Sequence, residues 1–205
     1  MKDVVRIDNA VPLMVLEYMR MRLQNEERWS FSYPKGAAFE KKHPKLTIYD
    51  GSDIPEAKLL EGMSHIILLS IYNSMVQQNM NLFHPSMLWC GASIKDRHRE
   101  DNLHTDHEDD IPDDMRVVKL LGLSHGEWPE ENGGHFQWGG KIYTLTPGTF
   151  LCFDPLVHHR ATDILVDTKR IALDYTVRST EPPTCLLYTS PSPRDATLSR
   201  MPSSA

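Results

Sequence analysis

From Phe83 onward the chain is cut into short apolar runs, none long enough for a packed helix and each closed by a turn signal. The predicted strands are Met87–Ile94, Asn102–His107, Val117–Ser124, His135–Trp138, Lys141–Leu145, Thr149–Phe153, Arg160–Ile164 and Arg170–Val177. Gly133-Gly134, Gly139-Gly140, Pro147-Gly148 and Asp154-Pro155 punctuate them. Strands this short and this closely spaced can bury their apolar sides only by curling one sheet over another. The pattern therefore predicts a jelly roll or barrel.

The first 82 residues have a different texture. Leu13, Leu16, Met19 and Leu23 recur at helical spacing in a segment from about Val11 to Arg28, with Asp8 or Asn9 placed to cap it and Pro12 in its first turn. A second helix is predicted from Ile54 to Met80. Leu60, Met63, Ile67, Ile71 and Met75 form its buried side, and Asp53 and Glu56 have the spacing of a capping box. Residues 29–52 read as an irregular connection with one strand at Leu46–Tyr49. The class is α+β: residues 1–82 as a helical support region, and 83–184 as the β core of the same domain.

Charge and composition exclude some roles. A formal charge of -6 argues against a protein that coats nucleic acid or an anionic membrane surface. No uninterrupted apolar run reaches the ~20 residues of a membrane span. The N-terminus lacks a signal-peptide core. Cys90, Cys152 and Cys185 form no close metal-binding pair or disulfide framework, so a cytoplasmic setting is expected. The end of the chain stands apart. Cys185 to Asp195 and Ser199 to Ala205 resemble the translated fixed parts of a transposase-type sequencing adapter, and Ala196-Thr197-Leu198 fill the index between them. Residues 185–205 are therefore expected to be non-native, with the native sequence running to about Thr184.

The chemistry concentrates at Leu103-His104-Thr105-Asp106-His107. On a strand, His104 and Asp106 share a face, and His107 takes the other. An imidazole and a carboxylate there supply two ligands to a divalent metal. A second histidine completes a facial triad that leaves three positions open. Alone, His-x-Asp is a weak signal; the residues that follow strengthen it. His158-His159 comes just after the strand ending at Phe153, and Arg170 opens the apolar strand Ile171-Ala172-Leu173-Asp174-Tyr175-Thr176-Val177.

In this order and spacing, His104-Thr105-Asp106, Gly133-Gly134, Pro147-Gly148-Thr149-Phe150-Leu151-Cys152-Phe153, His159 and Arg170 resemble the prolyl-4-hydroxylase-like branch of the Fe(II)/2-oxoglutarate-dependent oxygenases. The resemblance spans about residues 83–178. It implies a double-stranded β-helix with supporting N-terminal helices. It implies His104, Asp106 and a distal histidine as ligands to Fe(II). His159 is favoured for that place over His158, because Ile164 follows it at the family's spacing. It further implies that Arg170 binds the far carboxylate of 2-oxoglutarate through a bidentate fork. O2 and, as an accessory, ascorbate complete the set. The implied reaction is hydroxylation of a C–H bond in a peptidyl or small-molecule substrate, with release of succinate and CO2. Tyr143, Lys119 and Thr149 are candidates for a polar group that helps hold the keto acid. The loop Ser124–Asn132, with Trp128, is placed at the site's mouth or at the barrel's closure. Two other readings stay open: a metal- or acid-binding barrel without turnover, and a cupin-like metalloenzyme that does not use 2-oxoglutarate.

Overall fold

Arg170–Ser179 is buried along nearly its whole length on both faces, as a strand must be to sit in the middle of a covered sheet. In the computed structural model, which describes residues 3–32, 43–97, 101–106 and 115–180, it does so. Numbered in chain order, the strands are β1 (Val5–Ile7), β2 (Ser30–Ser32), β3 (His43–Tyr49), β4 (Phe83–Lys95), β5 (Val117–Leu123), β6 (Phe136–Trp138), β7 (Lys141–Tyr143), β8 (Phe150–Phe153), β9 (His159–Ala161) and β10 (Arg170–Ser179). The helices are α1 (Leu13–Gln24) and α2 (Lys58–Gln77). A seven-stranded sheet runs β1-β8-β5-β10-β4-β3-β2, and a three-stranded sheet runs β7-β6-β9. All pairings are antiparallel. This is the double-stranded β-helix with N-terminal helices, an α+β fold.

Alternation divides the large sheet into two faces. Val118, Leu120, Phe150, Cys152, Ile171, Leu173, Tyr175 and Val177 join Leu16, Met19, Leu23, Leu60, Ile67 and Ile71 in one core beneath the helices. Leu123, Leu151 and Phe153 join Phe136, Leu145, Trp128 and Ile164 in a second core between the sheets. Arg170, Ala172, Asp174 and Thr176 alternate with the first set on β10, so they face the smaller sheet. Gly122 sits under the Phe150 ring, where an added Cβ would come within 2.6 Å of the aromatic carbons.

The predicted stripe of α2 is buried at all five positions. Of the α1 stripe, Leu16, Met19 and Leu23 are buried, whereas Leu13 is half exposed. Both helices are shorter than predicted, and a 3-10 turn, Pro55–Ala57, precedes α2. The predicted caps do not form. Neither helix has a side-chain cap hydrogen bond. Asp53 pairs with Lys58 instead, and Asp8 accepts from Thr149 Oγ1 at 3.2 Å. The predicted strand Asn102–His107 is also corrected. Within 101–106 only His104 pairs, as a single bridge to His159. His107 and the adapter-like segment 185–205 lie outside the described residues.

Ile67 is wholly buried where α2 meets the sheet. Ile67→Ala is expected to lower unfolding free energy by about 2–5 kcal/mol, read from the urea midpoint.

Candidate metal centre and its inner wall

Two chain segments meet at the triad. His104 N–H donates to His159 O at 2.9 Å, and His159 N–H returns the bond to His104 O at 2.8 Å. Asp106 N–H donates to Pro155 O at 2.9 Å, so the same connection fixes the carboxylate's backbone. The side chains converge. His159 Nε2 lies 3.4 Å from Asp106 Oδ2, and His104 Nε2 lies 3.7 Å from Asp106 Oδ1. The three ligand atoms are all within 4.8 Å of one another, the one such cluster among the described residues.

Each imidazole is oriented by a backbone carbonyl. His104 Nδ1 lies 2.8 Å from Asn102 O, and His159 Nδ1 lies 2.9 Å from Val157 O. With Nδ1 of each ring donating to a carbonyl, each Nε2 faces Asp106 and is the atom left to bind a metal once any proton it shares with the carboxylate is displaced. The His159 ring is further held by Phe136, stacked at 5.0 Å, and Phe153, edge-on at 5.1 Å. Two neutral imidazoles and a carboxylate at this spacing fit a divalent transition metal, iron included.

The electrostatics suit a cation. Burial alone would raise the Asp106 carboxyl, but the His159 hydrogen bond and the charges of Lys119, His159 and His104 outweigh it and hold it well below the usual carboxylate range. Burial and the neighbouring His159 push His104 down, against the Asn102 carbonyl. Burial also works against a charged His159, yet contact with Asp106 carries it upward on balance. A bound metal would take the place of the proton that His159 shares with Asp106.

Arg170 lies on the inner face of β10 and is 1% exposed. Gly134 closes over it. At φ +71° an added Cβ would stand 3.1 Å from Arg170 Cδ and 3.2 Å from Nη1, so the second glycine of the Gly-Gly turn makes room for the guanidinium. Trp128 is buried and donates Nε1–H to Gly133 O at 3.0 Å. The Ser124–Asn132 loop thus closes the barrel behind Arg170 rather than lining a mouth. His125 Nε2 accepts from Ile171 N–H at 2.9 Å. Burial, then the charge of Arg20, lower its pKa to about 4, with Arg170 adding to the effect against Glu17.

His158 is exposed and turned outward, where it lines a groove of about 640 Å³ with Leu103, Trp138, Leu156 and Arg160. Among the candidates for a supporting polar group, Thr149 is taken by Asp8, and Tyr143 packs edge-on against Phe136 at 6.1 Å. Lys119 alone points along the inner wall. It is buried, 3.8 Å from Asp174 and 4.9 Å above the Trp89 ring. Asp174 and Trp89 had no motif to mark them. Counting alternate positions from Arg170 would have found Asp174.

No protein-family sequence profile and no curated protein matches the chain. Its shape does match solved structures. A prolyl-4-hydroxylase from Pseudomonas putida superposes with a TM-score of 0.56 at 16% identity, covering 85% of this chain and 92% of that one. HygX from Streptomyces hygroscopicus, with nickel and 2-oxoglutarate bound, gives 0.56 at 13% identity, covering 86% and 83%. A Trichoplax adhaerens prolyl hydroxylase, in complex with a hypoxia inducible factor peptide fragment, gives 0.56 at 13%, covering 85% and 83%. The chain shares the double-stranded β-helix fold of these oxygenases.

Two expectations follow. In a Co(II) or Mn(II) titration, His159→Ala is expected to weaken binding by more than the roughly 10–100-fold typical of a supporting residue, with His158→Ala close to the parent. The second concerns pH. His125 is held neutral in the fold, so its contribution to stability is complete above the unfolded value near ~6.5 and lost as pH falls through about 4. Between pH 7.5 and 4 the parent should lose about 2–3 kcal/mol more than His125→Asn, read from urea midpoints.

Proposed function

We propose that the chain is an Fe(II)- and 2-oxoglutarate-dependent dioxygenase that hydroxylates a C–H bond of a peptidyl or small-molecule substrate. The observation that carries this is the pairing of two features inside one barrel: a His104/Asp106/His159 cluster of metal-ligand geometry and a fully buried Arg170 on the facing wall. A metal-binding barrel alone needs the first and not the second.

In this reading His104 Nε2, Asp106 and His159 Nε2 hold the metal, and Arg170 receives the distal carboxylate of the keto acid. When bound, the metal, 2-oxoglutarate and O2 supply oxidative decarboxylation to succinate and CO2, with one oxygen atom passing into the C–H bond. The residues of the chain do the rest. The carbonyls of Asn102 and Val157 keep both imidazoles aimed inward. Phe136 and Phe153 keep water from one side of His159. A guanidinium stays charged when buried and meets a carboxylate with two parallel hydrogen bonds. The finer reading, a prolyl-4-hydroxylase-like enzyme, is supported by the order of the motifs and by the fold it shares with the Pseudomonas and Trichoplax proteins. The nickel and 2-oxoglutarate bound by HygX support the same pair of ligands for this fold. Ascorbate is proposed as an accessory reductant.

The test is succinate release from 2-oxoglutarate with Fe(II) and O2, with or without a second substrate. The parent is expected to convert 2-oxoglutarate to succinate slowly on its own, and His104→Ala and Asp106→Ala to abolish the turnover. Arg170→Met should raise KM for 2-oxoglutarate roughly 10–100-fold, the loss of a charge-assisted pair. A folded, metal-loaded parent that leaves 2-oxoglutarate untouched would favour a cupin-like or purely binding barrel.

A further inference from the structure

α2 is apolar on two sides. Its inner side lies on the sheet, yet Leu59, Ile66, Leu69 and Val76 stand on the outer side, each about half exposed or more. With Gly62 and Asn73, also exposed, they form a line spaced three, four, three, four and three residues apart. That is the spacing of a helix–helix seam. On α1, Met14, Tyr18 and Met21 form a second outward line, with Met14 83% exposed. The two helices belong to one layer. Both bury their inner sides in the same core, and Ser70 Oγ of α2 donates to Ala10 O at 2.7 Å, just ahead of α1.

The size of this surface separates it from ordinary surface apolarity. Met14, Tyr18, Met21, Leu59, Ile66, Leu69 and Val76 together expose on the order of 800 Å², taking ~200 Å² for each whole residue. A typical monomer's largest apolar patch is about 300–600 Å². A stable interface needs roughly 800 Å² from each partner. The helix layer alone therefore supplies what a standard dimer requires.

The order of residues along α2 suits a copy of itself. Run antiparallel to its twin about a two-fold axis level with Ile67 and Leu68, at the helix midpoint, the line pairs Ile66 with Leu69, Gly62 with Asn73 and Leu59 with Val76. Every large apolar residue meets another. The one polar residue meets the one residue without a side chain, which leaves its amide room. A two-fold contact demands this self-matching, since each surface is its own partner.

We propose that the chain forms a two-fold homodimer through the outer faces of α1 and α2. A membrane is the competing occupant, because Pro55–Gln77 is long and apolar enough by length and composition to cross one. Charge speaks against it. Surface-seated helices carry many basic residues on the polar side, whereas α1 and α2 together carry Arg20, Arg22 and Lys58 against Glu17 and Glu61, with Arg20 paired to Glu17, and the chain's formal charge is -6.

Sedimentation equilibrium of the full chain tests the proposal, with far-UV circular dichroism as the check on folding. The parent is expected to sediment at twice the chain mass at 10 µM. Ile66→Glu/Leu69→Glu, which sets like charges opposite one another, and Met14→Glu/Tyr18→Glu are each expected to shift the midpoint of dissociation upward by at least 100-fold with unchanged helicity, since all four positions are exposed. A folded parent that is monomeric at 100 µM overturns the proposal. So does a dimer indifferent to both double substitutions, or a parent that leaves solution with phosphatidylcholine/phosphatidylserine vesicles while remaining monomeric without them.

Discussion

The reciprocal backbone bridge between His104 and His159 is the contact on which the site depends. The two histidines lie 55 positions apart, on segments that share no other strand pairing among the described residues. Two hydrogen bonds of 2.9 and 2.8 Å bring their Cα atoms opposite one another, and the rings then have little choice of place. Phe136 and Phe153 occupy the space on one side of His159. Asp106, fixed by its bond to Pro155 O, closes the third corner. A candidate metal site whose backbone is held by such bonds is stiff before any metal arrives, which is what preorganised coordination requires.

The inner wall carries charge that a barrel built only for stability would avoid. A buried ion pair seldom repays its desolvation, and replacing it with apolar side chains is often neutral or better. Here Lys119 and Asp174 face the interior, Arg170 is wholly buried, and Asp106 keeps its negative charge despite burial. These residues interrupt what alternation would otherwise fill with Leu and Phe, as Leu121, Leu151 and Phe153 do beside them. The positive groups sit on the wall opposite the smaller sheet, and the carboxylate of Asp106 sits among imidazoles. The interior thus sets a carboxylate among imidazoles at one place and the cationic side chains of Arg170 and Lys119, the latter beside Asp174, at another.

Much of this was legible in the sequence because it follows from short periodicities. The buried line of α2 is a helical repeat, and the two faces of β10 are a repeat of two. Gly139 and Gly140 both take positive φ and turn β6 into β7, as the Gly-Gly pair suggests. What stayed hidden depends on distant partners. β1 and β2 exist only because β8 and β3 offer edges to pair with. The 102–106 segment alternates like a strand but finds a partner only at His104. Asp8 and Asp53 have the chemistry of caps, yet Thr149 and Lys58 reach them. The assignment of Trp128 required knowing where the barrel closes. Asp174 was concealed by lying in an otherwise apolar run, where its neighbours argued only for burial.

The large sheet also divides the molecule by task. One face, with Arg170, Asp174 and Lys119, looks toward the triad; the other, with Leu173, Tyr175 and Val177, carries the helices. Anything that covers the outer sides of α1 and α2 is separated from the triad by the helix layer and by the sheet itself. The groove beside His158 and Trp138 lies on the smaller sheet, so association through the helices leaves it open to solvent. The same separation constrains how the two regions communicate. A change at the helix layer reaches the inner wall through the strands that bury residues on both faces, chiefly β5, β8 and β10. Those strands are central in the sheet and paired on both edges. A closely packed core of this kind resists small displacements. The helix surface can therefore vary in sequence, or bind a partner, at little cost to the geometry of His104, Asp106 and His159.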